Sequence, residues 1–187
     1  MELYEYKSYL QYTRSQIKGY RKKKDKVWAR RKNIKFICKT FPELQIGICH
    51  GVRTGKEVSW FRKILKSKEI IGTEIGASIK GLVVKWDFNK PRMGWVGKFD
   101  FVYTNSFDHA FDPVKTLQTW KGQLRSGGLM IIETSTKHET KSKLDPFGIT
   151  GEELEQIMRK EFRQVESYDL PLMRKHCDYH KIYVGRK

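Results

Sequence analysis

Residues Ile46 to Leu65, IGICHGVRTGKEVSWFRKIL, decide the fold. Ile46 and Ile48 read as a buried strand, and Val58, Phe61 and Leu65 recur at helical spacing, so Gly51 to Gly55 is the turn between them. This is a strand, a glycine-bearing bend and a helix. In open α/β folds such a bend faces anionic or nucleotide-like ligands, because the amides of the turn and of the first helical turn point outward without partners.

The next segment narrows the ligand. Glu69 to Glu74 reads as an apolar strand ending in a carboxylate, placed where an acid accepts hydrogen bonds from ribose hydroxyls. The bend is Gly51-x-Arg53-x-Gly55, with Arg53 where a dinucleotide fingerprint has its second glycine and Lys56 where it has its third. A pyrophosphate needs close backbone approach at that second position, and an arginine side chain obstructs it. A ribose ligand without a pyrophosphate fits better, S-adenosylmethionine being the common one.

Outward from there, Leu82 to Trp86 reads as a third strand with Asp87 and Phe88 at its carboxyl end. Lys98 to Tyr103 reads as a fourth, opening into Thr104 to His109. Asp112 and Pro113 supply an N-cap and a first-turn proline for a helix through about Gln123. Gly127 and Gly128 break the chain before a buried strand, Leu129 to Glu133, and Thr134 to Phe147 runs long and polar, a length associated with function. Thr150 to Glu153 reads as a capping box for a helix with Leu154, Ile157, Met158 and Phe162 inward. Val165 to Tyr168 and Lys181 to Val184 read as the last strands, joined by a loop with Pro171, His176, Cys177 and His180.

The ordered set of Gly51-x-Arg53-x-Gly55 with Glu74, Asp87-Phe88, Phe99 to Ser106 and Leu124 to Glu133 resembles the motifs of class I S-adenosylmethionine-dependent methyltransferases, from about Gln45 to the C-terminus. The resemblance implies a Rossmann-like, doubly wound α/β fold: a mostly parallel seven-stranded sheet with an antiparallel C-terminal strand and helices on both faces. It implies S-adenosyl-L-methionine as cofactor, met by His50, Gly51, Arg53, Gly55, Glu74, Asp87, Phe88, Asn105 and Ser106, with Asp87 and Phe88 near the adenine. The acid expected just before the glycines is Cys49 here. The Asn105-Ser-Phe-Asp108 run lacks the two prolines of the branch that methylates adenine amines. For a general base, His109 after the fourth strand and His138 after the fifth are the imidazoles in reach of a transferred methyl.

The 187 residues suit one α/β domain, and the formal net charge is +17 with a pI near 9.8. The first forty residues hold 13 Lys+Arg and 3 Asp+Glu, hence +10, against 25 and 18, hence +7, for the rest. Residues 1–40 therefore read as a basic helical arm before a methyltransferase domain over 41–187, with Tyr6, Leu10 and Ile17 as its apolar stripe. The balance favours anionic partners, RNA ahead of a glycan or small metabolite. Trp28, Arg30, Arg31 and Phe107 are the expected substrate contacts, since cations interleaved with aromatics grip phosphates and stack on bases. Two rival readings remain: a nucleic-acid-binding module with an inactive core, and a nicotinamide-dependent oxidoreductase, which Arg53 disfavours.

Cys38, Cys49 and Cys177 show no paired spacing, so neither a disulfide framework nor zinc is expected, and His176, Cys177 and His180 are read as no metal site. Methyl transfer from a sulfonium requires no metal. The start of the chain lacks a signal peptide's apolar segment and no run reaches membrane-spanning length, so a reducing, cytoplasmic setting is expected.

Overall fold

The computed structural model describes residues 1–171 and 178–187. Seven strands form one sheet. β2 (Gly47–His50), β3 (Ile70–Glu74), β4 (Val83–Lys85), β5 (Phe99–Thr104) and β6 (Leu124–Ser135) run parallel, while β9 (His180–Arg186) lies antiparallel between β6 and β8 (Gln164–Asp169). The spatial order β4-β3-β2-β5-β6-β9-β8 reverses direction between β2 and β5. That switch point opens a crevice at the carboxyl ends of the central strands, where open α/β sheets bind ligands.

Alternating side chains of the sheet feed two cores. On one face Cys49, Phe101, Tyr103 and Ile131 pack against α2 (Arg31–Thr40) and α3 (Lys56–Leu65) through Ile34, Ile37, Val58 and Phe61. On the other, Ile48, Val102, Met130 and Ile132 meet α4 (Pro113–Gln123) and α5 (Gly151–Glu161) through Leu117, Trp120, Leu154 and Met158. Asp112 caps α4 through the Lys115 amide, and Thr150 and Glu153 form the capping box of α5.

Three sequence expectations change. Gly127 and Gly128 do not separate a helix from a new strand. β6 runs straight through them, with a register shift between the Phe99 and Phe101 pairings that Gly127 accommodates at φ +74°. Leu10 is 56 % exposed, so the apolar stripe on α1 (Tyr9–Lys23) fails, and the buried residues of that helix are Tyr12, Ser15 and Gln16. Its inner face is polar because it roofs a crevice and not a core. His180 is a buried strand residue, not part of a loop cluster; His176 and Cys177 lie outside the described residues.

The roof is fastened by the segment before β7 (Phe147–Gly148), which pairs antiparallel with β1 (Glu2–Leu3). Tyr6 and Ser15 donate to the Lys143 carbonyl and Gln16 Nε2 donates to that of Leu144.

Candidate functional site

Two compartments open at the switch point. The first is walled by Gly51, Arg53, Glu74, Ile75, Asp87, Phe88, Ser106 and His109, and roofed by Tyr12, Gln16, Gly19, Tyr20 and Lys23 of α1. The second, of about 460 Å³, is lined by Lys23, Trp28, Arg30, Arg53, Asn105, Ser106, Asp108, His109, Glu133, Lys137, His138 and Asp145. Arg53, Ser106, His109 and Lys23 belong to both and mark where the compartments meet.

The bend after β2 is built by close approach. Gly51 has φ +71°, and a Cβ there would come within 2.7 Å of Ser106 Cβ. Gly55, at φ +69°, starts α3 tightly against Leu82 and Val83 of the next strand. Arg53 takes φ +43°, and its amide donates to Glu74 Oε2 at 3.0 Å while Gly76 donates to Glu74 Oε1. One carboxylate thus clamps both loops of the crevice. Arg53 Nε is buried with no hydrogen-bond partner, and no acid within the described residues pairs with its guanidinium.

Asp87 is the second acid of the first compartment. It accepts from Tyr9 Oη, from the Asn89 amide and from Asn89 Nδ2. Burial first, then the Asp87 hydrogen bond, raises the Tyr9 phenol well above its ordinary range, so it stays a donor. Tyr12 Oη donates to the His109 carbonyl, and Tyr20 lies flat on Gly76, where a Cβ would meet its ring at 2.2 Å. With this roof down, only about 50 Å³ stays open in the first compartment.

The two expected imidazoles differ in their free lone pairs. His138 Nδ1 accepts from the Ser135 amide at 3.1 Å, so its neutral ring carries the proton on Nε2, 3.9 Å from Asp108 Oδ2. Its basic nitrogen is already engaged. His109 Nδ1 faces Gln16 Oε1 at 2.9 Å, and Gln16 is held in that orientation because its Nε2 donates to the Leu144 carbonyl. His109 therefore donates through Nδ1, and its Nε2 lies on the cavity side, 3.5 Å from Asp145 Oδ1.

Other expected residues lie elsewhere. The His50 ring does not reach the crevice: it stacks on Trp120, with Nδ1 against Thr73 Oγ1 and Nε2 against Gln123 Oε1, and burial lowers its pKa to about 4. Phe107 packs on Trp120 and Phe147 in the core, because the short 3₁₀ turn at 107–109 points it inward. Arg31 starts α2 and lines neither compartment. Trp28 and Arg30 line the second, Arg30 also donating to the Pro171 carbonyl.

Glu133, at the end of β6, escaped functional reading from the sequence. It is buried and accepts from Asn33 Nδ2, Tyr103 Oη and His180 Nε2, each at 2.8 Å. Burial pulls the His180 pKa down, but the Glu133 and Pro171 hydrogen bonds and the Glu133 charge together carry it above its ordinary value. Both ring nitrogens are thereby used. The only sequence signal for this network was an acid closing an otherwise apolar strand.

This strand order, with its antiparallel β9 and with Glu74 closing β3, is the Rossmann-like fold found in class I S-adenosylmethionine-dependent methyltransferases. No family model and no curated protein matches the chain. Among solved structures it is similar to the 1,6-didemethyltoxoflavin-N1-methyltransferase of Burkholderia thailandensis, solved with 1,6-didemethyltoxoflavin and S-adenosylhomocysteine. The TM-score is 0.76 at 14 % identity, over 98 % of this chain and 92 % of that one. The N-methyltransferase NodS of Bradyrhizobium japonicum, with S-adenosylhomocysteine, matches at TM-score 0.69 and 9 % identity over 92 % and 98 %. A possible histamine N-methyltransferase of Thermotoga maritima matches at 0.62 and 19 % over 96 % and 100 %. No helix among the described residues is long and apolar enough to cross a membrane.

Proposed function

We propose that this chain is an S-adenosylmethionine-dependent methyltransferase whose acceptor is a small anionic molecule held in the second compartment. The observation that carries the reading is the meeting of two compartments at Arg53, Ser106 and His109, above the carboxyl ends of β2 and β5. The residues fit the cofactor. Gly51 leaves room for close backbone approach, Glu74 is the ribose acid, and Asp87 with Phe88 serves the adenine. The half-buried Arg53, whose Nε has no hydrogen-bond partner, suits the carboxylate of the methionine end. When bound, the sulfonium supplies an already activated methyl group.

The chain's own part is positioning and electrostatics. Lys23, Arg30, Arg53 and Lys137 outnumber the acids Asp108, Glu133 and Asp145 in the lining of the second compartment, and Trp28 gives it an apolar wall. A volume near 460 Å³ suits a metabolite, so the RNA acceptor expected from net charge yields here to a smaller one. His109 turns Nε2, beside Asp145, toward the second compartment, and His138 is a positioning residue locked to Ser135. The roof must lift to admit an adenosyl group, and α1 is fastened at its start to Asp87 and the 143–144 segment.

Calorimetric titration with S-adenosylmethionine and S-adenosylhomocysteine tests the reading. Saturable binding of either supports it. No binding of either at millimolar concentration to folded protein removes it and leaves a methyltransferase-shaped module without the cofactor.

A further inference from the structure

We propose that Asp108, His109 and Asp145 form a divalent-cation site in the wall of the acceptor compartment. One donor atom from each lies within 4.8 Å of the other two, and all three residues line the cavity. Gathering them on an ion with bonds of ~2.1 Å moves each by less than about 1 Å.

An unmatched buried oxygen of the cluster calls for a cation. Asp108 is 8 % exposed, and its Oδ1 is buried without a partner. An ionised carboxylate oxygen left so is costly unless a cation or donor meets it. His109 completes the set: its Nδ1 is committed to Gln16, and its Nε2 lies 3.5 Å from Asp145 Oδ1. His138 Nε2, at 3.9 Å from Asp108 Oδ2, is too distant to satisfy Asp108 and lies on the other oxygen.

Two carboxylates and one imidazole make an oxygen-rich, mixed set that suits a first-row ion such as Mn²⁺ or Zn²⁺. Three protein donors leave coordination positions open, and these face the cavity. An acceptor carrying a hydroxyl or carboxylate oxygen completes the coordination, and His109 is then a ligand and not a base. The role toward the acceptor rests on the methyltransferase reading; the ion site itself does not.

The test uses the full chain, treated with chelator and titrated with MnCl₂ and separately with ZnCl₂ by calorimetry and Mn²⁺ electron paramagnetic resonance, with no adenosyl ligand present. One equivalent bound, with affinity lowered at least tenfold in Asp145→Asn, is expected. Asp145 sits on a half-exposed segment, so this variant folds even where Asp108→Asn does not. Absence of binding to folded protein overturns the proposal, as does binding that Asp145→Asn leaves unchanged. A ¹⁵N spectrum showing His109 doubly protonated at neutral pH in metal-free and metal-treated protein alike also overturns it, since a proton then fills the gap. Because the adenosyl titration is separate, a failed cofactor reading leaves this result interpretable.

Discussion

The Tyr9 hydroxyl donates to Asp87 Oδ2 at 2.5 Å, so the carboxylate suited to an adenine amine is already engaged by the helix that roofs its compartment. In the proposed complex, ligand and roof compete for one oxygen. Tyr9→Phe removes the competitor and leaves the ring packed on Phe111. S-adenosylhomocysteine should then bind about fivefold tighter, the ~1 kcal/mol of one net hydrogen bond. Calorimetry decides, and weaker binding would show that the phenol belongs to the occupied site.

Glu74→Ala acts on the other acid. It loses the expected ribose contacts and releases the Arg53 and Gly76 amides, so affinity for S-adenosylhomocysteine should fall by ~1 to 3 kcal/mol. An unchanged dissociation constant in a folded variant would refute the assignment.

Gly51→Ala places a Cβ 2.7 Å from Ser106 Cβ at φ +71°, a strain that a serine rotamer change cannot relieve. Unfolding in urea should show a loss of roughly 2 kcal/mol or more, with ligand binding abolished. Gly81→Ala is the control: it shares a positive φ but meets nothing within 4 Å, so its loss should be smaller and its binding intact.

Glu57 is buried at the start of α3 with Oε2 unpartnered, and burial raises its pKa to about 7 from an ordinary 4.5. The folded state therefore binds this proton more tightly than the unfolded chain does. Its contribution is favourable below pH 4.5 and disappears as pH rises through 7. Glu57→Gln should stabilise the protein at pH 8 by up to about 3 kcal/mol and change little at pH 4.5, as urea melts at the two values would reveal. His50, with its pKa lowered to about 4, works the other way, losing stability as pH falls from 6.5 through 4, so the wild-type profile should look flatter than that of Glu57→Gln.

What could be read from the chain was what local chemistry writes. The capped starts of α4 and α5, the glycine bend at 51–55 and the strand ending in Glu74 all lie in short windows, and the structure has them within a residue or two. The α2 stripe of Ile34, Ile37 and Cys38 is equally regular, but it is interleaved with lysines that make the segment look like a solvated basic arm. The roof was not legible. Tyr12, Ser15 and Gln16 are buried only because a distant loop and crevice meet them, and no period of apolar residues announces a helix that covers polar ground. The Glu133 network joins residues from α2, β5, β6 and β9, a grouping that exists only once the sheet is assembled.

The pairing of Glu2 and Leu3 with Gly148 and Phe147 links two segments that lie far apart in sequence. Such contacts are slow to close, so the parallel strands can assemble while this tyrosine-rich segment still waits for its mate. A ribosome-bound intermediate should therefore expose Tyr4, Tyr6, Tyr9 and Tyr12 to solvent and to chaperones until residue 148 has cleared the exit tunnel.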